Sequence, residues 1–387
     1  MLTSQEPEHL TLLRDTLRRF IDKEMPRDLV RQWDREDHFP SDVYQGLVDL
    51  GLTGLTVAEE YGGSGRDITA MIMIIEELSS RSMAVSTGYI QSACYAGLNI
   101  ADVGSEEQRR TLLPRVATEG LKFSYGFSEP DVGADIASVR STAVRRDGKI
   151  VINGQKRWCS GAKIAQYIYA LVRSGPVEDR YNNLSLILVP TDAPGITYQP
   201  QATLGLRGDG TYDVSFDHVT VREEDIVGGL DGWNAGWKKL VGPGLNVEKI
   251  EVAAMALGIS RAAVDDAWTY AQDRKQFGKP IASIQSIRHM LADVKTKWQA
   301  CHLMTYHAAS IVEANQPADV ATAMAKLFVC DTARDIVLTC QQIMGAYGYA
   351  DGFDMERYVR DILVMPILGG SSAIQKNNIA NRLGLPR

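Results

Sequence analysis

"STAVRRDGKIVINGQKRWC", Ser141 to Cys159, is the stretch on which the fold turns. Its β-branched residues come in short runs, and Asp147-Gly148 and Asn153-Gly154 are dipeptides that close two-residue hairpins, so it reads as strands joined by tight turns. "YIYALVRS", "NLSLILVP" and "YDVSFDHVTV" follow as further short strands, separated by Pro, Gly, Asn and Asp. On either side the texture is helical. Upstream, Leu10, Leu13, Leu17, Phe20 and Ile21 recur at helical spacing with charges between them, and "MIMIIEELSSRSMA" and "EEQRRTLLPRVATEG" carry the pattern to residue 120. Downstream of "GWNAGWKKL", three long, Ala-rich, amphipathic segments run nearly to the C-terminus. The expected fold class is therefore α+β and multidomain. An N-terminal all-α domain (1–120) precedes a small middle β domain, a barrel or sandwich (121–231), and a C-terminal helical bundle (232–387).

A chain of 387 residues can bury a large core, and 45% apolar with 23% charged residues is the composition of an ordinary globular protein. The formal charge of −7 argues against nucleic acid or an anionic membrane as the main partner, because both reward a basic face. "MLTSQEPEHL" lacks the basic and apolar regions of a signal peptide, which makes a cytoplasmic location the expectation. The nearest approach to a membrane-spanning run is "AVSTGYIQSACYAGLNIA", and it is too polar. Cys94, Cys159, Cys301, Cys330 and Cys340 form no C-x-x-C pair, so buried thiols are expected rather than a zinc site or disulfides. The six histidines are scattered, and His302 and His307 miss the i, i+4 spacing of a metal pair, so no metal is expected. Neither G-x-G-x-x-G after a strand nor G-x-x-x-x-G-K-[ST] occurs. "GGSGR" at 62–66 lacks the strand–turn–helix setting of a nucleophile elbow.

"SYGFSEPDVGAD", Ser124 to Asp135, resembles the T-E-P-x-x-G-S-D signature of the acyl-CoA dehydrogenase family. "INGQKRWCSGA" (152–162), "AQDRKQFGKPIASIQ" (271–285), "QQIMGAYGY" (341–349), "YVRD" (358–361) and "PILGGSSAIQ" (366–375) follow in that family's order, and "EEYGG" (59–63) fits its N-terminal domain. The likeness spans essentially the whole chain. It implies a C-terminal four-helix bundle, FAD in a cleft between the β domain and that bundle, and a homotetramer built as a dimer of dimers. By this resemblance the cofactor-binding candidates begin with Tyr125, Phe127, Ser128 and Gly133, with Phe127 and Ser128 on the flavin ring edge. Trp158 and Ser160 would line the isoalloxazine. Arg274, Gln276, Phe277, Gln285, Gln342, Gly345 and Ala346 would meet the FAD of a neighbouring subunit, and Ser371 and Ala373 the subunit's own. A guanidinium suits a diphosphate, and glycines let backbone approach one. Taken singly, Trp158 reads as a core aromatic, Arg274 as a solvated helix-end cation and "QIMGAYGY" as a helix C-cap. Only their joint order points to a cofactor.

Where many members of the family carry their catalytic glutamate, in a loop reading I-Y-E-G-T, this chain has Gly369 after Leu368. The isovaleryl-CoA and long-chain members place the glutamate on a bundle helix instead, and "GLNVEKIEVAAMALG" (244–258) puts Glu248 at that position. The resemblance then implies that Glu248 takes the α-proton of an acyl thioester while the β-hydrogen leaves as hydride to the flavin. Gly369 would keep the backbone N–H that steadies the developing enolate oxygen. Burial should raise the Glu248 pKa and strengthen it as a base. Glu251, about one-sixth of a turn away on the same helix, is the rival. As a plain first-turn acid Glu248 would face solvent, but the apolar run after it argues for a buried helix.

Ala134, Asn246, Lys249, Leu368 and Gly370 are the substrate-contacting candidates. Ala134 stands where the family usually has a serine, Lys249 where it has an arginine, and Asp131 and Ala346 where it has glycines. The implied activity is FAD-dependent α,β-dehydrogenation of an acyl-CoA, with electrons passed to an electron-transfer flavoprotein. An enoyl-thioester reductase of the same fold, or an enzyme acting on a carrier-bound acyl group, remains open at this point. A monooxygenase of this fold would need no α-proton base, and a non-catalytic helical module would need no flavin residues.

Overall fold

The computed structural model describes residues 7–241 and 243–386. The N-terminal part contains α1 (Glu8–Glu24), α2 (Arg27–Glu36), α3 (Ser41–Asp49), α4 (Ile68–Ser79) and α5 (Met83–Tyr89). A π-helical segment (Ile90–Leu98) then leads into α6 (Asn99–Val103), followed by α7 (Glu106–Glu119). Ser105 and Gln108 form a capping box at the start of α7, and Gly120 ends that helix with φ +62°. From α5 to α6 the chain is one continuous helix whose middle is under-wound, because the backbone stays helical at both junctions.

α4 is apolar nearly all round, which marks a helix buried on every side. It lies in one core with α1 and the C-terminal helices, so the N-terminal domain and the bundle share apolar interior. Its two acids, Glu76 and Glu77, are neutralised in place. Arg18 Nε and Arg261 Nη2 donate to Glu77 at 3.0 and 2.7 Å, Arg14 pairs with the same carboxylate, and Tyr306 donates to Glu76 at 2.7 Å.

The middle part is a seven-stranded sheet of β1 (Phe123–Gly126), β2 (Thr142–Arg146), β3 (Lys149–Ser160), β4 (Tyr167–Arg173), β5 (Leu184–Pro190), β6 (Ile196–Gln201) and β7 (Thr211–Arg222). β4 pairs antiparallel with β5 on one edge and parallel with β1, then β2, on the other; β2–β3–β7–β6 completes an antiparallel run. Both faces of β4 are buried: Ile168, Ala170 and Val172 enter the β-domain core, while Tyr169 and Leu171 pack toward the helical domain. Asp147-Gly148 closes the β2–β3 hairpin as expected, with φ +50° and +72° at its two residues. Asn153-Gly154 does not turn the chain. It lies inside β3, where the register against β7 shifts between Ile152 and Gly154. Gly154 (φ +143°) passes so close to Ser141 that a side chain would overlap it, and Asn153 Oδ1 accepts the His218 N–H at 2.9 Å, so the signal marks a bulge.

The C-terminal part has α8 (Gly236–Leu240), the 31-residue α9 (Pro243–Asp273), a small hairpin of β8 (Lys275–Gln276) and β9 (Lys279–Pro280), α10 (Gln285–Glu313), α11 (Asp319–Met344), α12 (Met355–Ile362) and α13 (Ser372–Arg382). α9, α10 and α11 pack on one another, and α13 packs on α11. All five cysteines are free and buried. Among the described residues no helix is long and apolar enough to cross a membrane.

Candidate active site

Glu248 stands near the start of α9, followed by an almost unbroken buried run from Ile250 to Ser260. Its side chain is half-buried and lies beside the loop before α13. A Cβ placed on Gly369 would stand 3.8 Å from Glu248 Oε1 and 3.9 Å from its Cγ. The helix glutamate and the loop position therefore converge on the same space. Gly369 and Gly370 have φ of +62° and +82°, a backbone that glycine adopts without strain. Beneath them the buried Gln375 donates from Nε2 to both carbonyls, at 3.2 and 2.9 Å. Ser371 caps α13, and Ser372 Oγ reaches Asp331 at 2.8 Å. The Gly369 N–H has no backbone acceptor among the described residues and is free to serve an incoming oxygen.

Desolvation pushes the Glu248 carboxyl up to about 7, against the pull of Lys249 and Lys326. Although water reaches part of it, protein crowds it closely enough for that shift. Lys326, on α11, is fully buried with no hydrogen-bond partner for its Nζ among the described residues. Burial pushes its ammonium down, while Cys330, Asp331 and Glu248 hold it up. Lys249 Nζ donates to Asn246 Oδ1 at 3.1 Å, and Asn246 bridges to Asp319 and Thr322 of α11. Glu251, one turn further, is 2% exposed and is pushed up to about 8 by burial and by Glu248, with the nearby Cys94 thiol pulling the other way. Two carboxyls this close do not ionise together readily. The one with cations nearby, Glu248, is the one that ionises first.

Facing α9 is an aromatic wall. Tyr95, from the π-helical segment, stacks on Tyr125 with centroids 3.6 Å apart, and Tyr125 stacks on Phe127 at 4.3 Å. Asn99 Nδ2 donates to the Tyr125 hydroxyl at 2.7 Å. Burial, with Glu248 nearby, holds both tyrosine hydroxyls well above their ordinary pKa.

Phe127, Ser128, Trp158 and Ser160 come together at one end of β1 and β3. Arg157 N–H donates to the Ser128 carbonyl at 2.9 Å, Lys156 Nζ to the Phe127 carbonyl at 3.3 Å, and Ser124 Oγ to the Ser160 carbonyl at 2.7 Å. Trp158 has φ +63° and is 54% exposed, with the Arg157 guanidinium 4.8 Å from its ring. Gly133 and Ala134 are exposed in the loop after β1.

Arg274, Gln276, Phe277 and Gln285 lie on and around the β8–β9 hairpin, and Gln342, Gly345 and Ala346 at the end of α11. The Phe277-Gly278 turn joins β8 and β9 and leaves Phe277 91% exposed. Arg274 lies 5.4 Å from the Tyr347 ring, just after the α11 end that Gly345 closes with φ +59°. No hydrogen bond, ion pair or ring contact among the described residues joins them to Glu248 or Trp158. The residues without a sequence signal are Tyr95, Gln91 and Lys326: π-helical geometry has no pattern of its own, and a lysine in an Ala-rich helix reads as solvated.

The N-terminal, middle and C-terminal domain models of acyl-CoA dehydrogenases match residues 7–120, 124–219 and 234–384. The chain belongs to the acyl-CoA dehydrogenase family. A probable acyl-CoA dehydrogenase of Bacillus subtilis is 32% identical over 373 residues, 96% of this chain and 97% of that protein. The 3-(aryl)acrylate reductase of Clostridium sporogenes is 32% identical over 379 residues, 97% and 98% of the two chains. A chain in the solved structure described as the electron transferring flavoprotein of Acidaminococcus fermentans superposes with a TM-score of 0.94 at 26% identity, covering 99% of this chain and 100% of that one. The protein is thus an oxidoreductase acting on acyl-CoA, with FAD as cofactor. Its residues fit that cofactor. Trp158 offers an exposed ring beside the Ser160 hydroxyl, Arg274 has no carboxylate partner among the described residues, and a Cβ at Gly133 or Gly345 would meet open space.

Proposed function

We propose that this enzyme α,β-dehydrogenates an acyl-CoA with Glu248 as the base that removes the α-proton, and passes the electrons to an electron-transfer flavoprotein. The observation that carries the reading is the convergence of the Glu248 carboxyl on the space beside Gly369, 3.8 Å from where a Cβ would stand. Near pH 7 a group with a pKa of about 7 is ionised in a large share of molecules and is a far stronger base than a free carboxylate. Lys249 and Lys326 favour its charged form, and burial favours the neutral acid it becomes on taking the proton. The free Gly369 N–H then donates to the thioester carbonyl oxygen as negative charge gathers there. FAD supplies the acceptor for the β-hydride.

Trp158, Ser160, Phe127 and Ser128 would hold the ring, with Tyr125 and Gly133 beside them, and Ser371 and Ala373 would touch the same cofactor. Arg274, Gln276, Phe277, Gln285, Gln342, Gly345 and Ala346 would hold the diphosphate and adenine of a neighbouring subunit's FAD in a homotetramer. The 91% exposure of Phe277 on a hairpin tip supports a role outside the single chain. Asn246, Lys249, Leu368 and Gly370 would flank the thioester, and Ala134 its CoA arm.

A second reading is favoured by one relative, the 3-(aryl)acrylate reductase: the same groups run in reverse would reduce an enoyl thioester. Anaerobic titration of oxidised flavin with acyl-CoAs, and of reduced flavin with the matching enoyl-CoAs, gives the equilibrium between flavin and thioester, and the side on which it lies separates the directions. In the same assay Glu248→Gln should keep FAD and thioester binding but slow bleaching by about 10²–10⁴-fold. Bleaching at the parent rate would remove Glu248 from the role and transfer the test to Glu251→Gln.

A further inference from the structure

Behind the ring-lining end of β3 lies a buried polar cluster that the functional reading does not use. The Ser160 carbonyl accepts from two side chains, Ser124 Oγ at 2.7 Å and Gln91 Nε2 at 3.3 Å. Gln91 is 2% exposed and belongs to the π-helical segment that also carries Tyr95 and Cys94 of the acid pocket. Its Nε2 also reaches Asp209 Oδ2 at 3.3 Å, while its Oε1 has no partner among the described residues. The strand end is shaped around this amide. Gly161 has φ +67°, and any side chain there would overlap the Gln91 amide. On the other side of Ser160 its hydroxyl meets Thr211 Oγ1 at 3.1 Å, and Gly161 N–H donates to the Gly210 carbonyl at 2.8 Å. Asp209 is 4% exposed and has no ion pair among the described residues.

We propose that Gln91 and Asp209 are positioning residues: the Asp209 carboxylate anchors the Gln91 amide, which fixes the Ser160 carbonyl and so the strand end against which the flavin ring rests. The proposal builds on the FAD reading, and it links that seat to the acid pocket through one short π-helical segment.

The groups facing Asp209 decide how the anchor responds to pH. Gln91 bonds to it. Thr87 of α5 favours its charged form, although its hydroxyl donates to the Met83 and Ala84 carbonyls. Asp37 after α2 repels it, and Tyr95 and Tyr212 stand close enough to feel its charge. Burial dominates and pushes Asp209 up to about 7. Above that pH the carboxylate is a strong acceptor and holds Nε2 in place. Below it the protonated acid becomes a donor, and the unpartnered Oε1 is the natural acceptor. A half-turn of the amide satisfies that bond but sets Oε1 against the Ser160 carbonyl, which then loses its second donor.

The test is FAD titration of the apoprotein, followed by flavin fluorescence and the visible absorption band between pH 6 and 8. The parent should bind FAD about fivefold more weakly at pH 6 than at pH 8, the difference between a charged and a neutral hydrogen bond. Asp209→Asn should abolish that step. Gln91→Met should also be flat, with affinity near the parent's at pH 6. Ser124→Ala removes the other donor and should leave the step in place. If Gln91→Met fails to fold by circular dichroism, the isosteric Asp209→Asn still decides. An Asp209→Asn protein that keeps the parent's pH step overturns the proposal, as does a parent with no step. A parent apoprotein that takes up no FAD at any pH would instead overturn the FAD reading itself.

Discussion

Glu77, buried, and Glu248, half-buried, are glutamates on helices of the same chain, and the protein drives them in opposite directions. Burial alone would raise both. At Glu77 the charge of Arg261 and the hydrogen bonds of Arg18 and Arg261 outweigh it, and the carboxyl is held down at about 2. At Glu248 the nearest cations are two lysines, of which Lys326 makes no hydrogen bond among the described residues, and burial wins. A guanidinium fork in contact fixes a carboxylate permanently, whereas an ammonium at a remove only biases it. The first arrangement locks α1, α4 and α9 together; the second leaves a group that can gain and lose a proton.

The comparison breaks first at Arg261. Arg261→Met leaves Glu76 and Glu77 buried with fewer cations, and losing one partner of such a network costs about 3–5 kcal/mol. The expected outcome is a large fall in denaturation midpoint, with flavin bleaching per folded molecule unchanged. A parent-like midpoint would mean that Arg14 and Arg18 suffice.

Smaller, but more diagnostic, is the pH dependence of stability. A carboxyl held down in the fold contributes stability at high pH that is lost as pH falls, so Glu77 acts between its unfolded value of 4.5 and about 2. A carboxyl pushed up has the reverse sign. The folded state then binds the proton more tightly, and stability falls as pH rises from 4.5 to about 7 for Glu248 and about 8 for Glu251. Glu251→Gln should therefore stabilise the protein above pH 8, by a few kcal/mol at most, and make no difference below pH 4.5. Glu248→Gln should do the same more weakly, because Glu248 is partly open to water. Chemical denaturation at pH 5 and pH 8.5 measures both; a gain confined to pH 5 would reverse the assignment.

How much of this was legible in the sequence differs between the same two regions. The alternation of helical and strand texture gave three parts in the right order, because period and turn chemistry are local. Asn153-Gly154 misled as a hairpin signal because the choice between turn and bulge depends on β7, more than sixty residues away in the chain. Glu248 became a candidate only through the family resemblance, since the residue alone is a first-turn acid like many others. The Arg14–Arg18–Arg261 network around Glu77 joins residues from distant helices, and no spacing announces it. The π-helical segment was invisible for a related reason: "YIQSACYAGL" differs from an α-helix only in which carbonyl each N–H finds.

The smallest effect is expected at Gly369, where it tests whether the loop glycine exists to make room for Glu248. Two penalties act on Gly369→Ala. The positive φ of +62° costs a side chain about 1 kcal/mol wherever it points. The new methyl also stands 3.0 Å from Val252 Cγ2, tighter than an ordinary contact, but at a comfortable 3.8 Å from Glu248 Oε1. The two separate on combination with Val252→Ala, which relieves the contact but not the backbone. Gly369→Ala should lower the thermal midpoint by a few degrees, the double variant should differ from Val252→Ala alone only by the backbone share, and bleaching should stay within about tenfold of the parent. A loss of bleaching as deep as that of Glu248→Gln, with FAD still bound, would mean that the methyl displaces the carboxyl rather than standing beside it. The space shared by helix and loop would then be too small for both, and the glycine would be a requirement of the base rather than of the backbone.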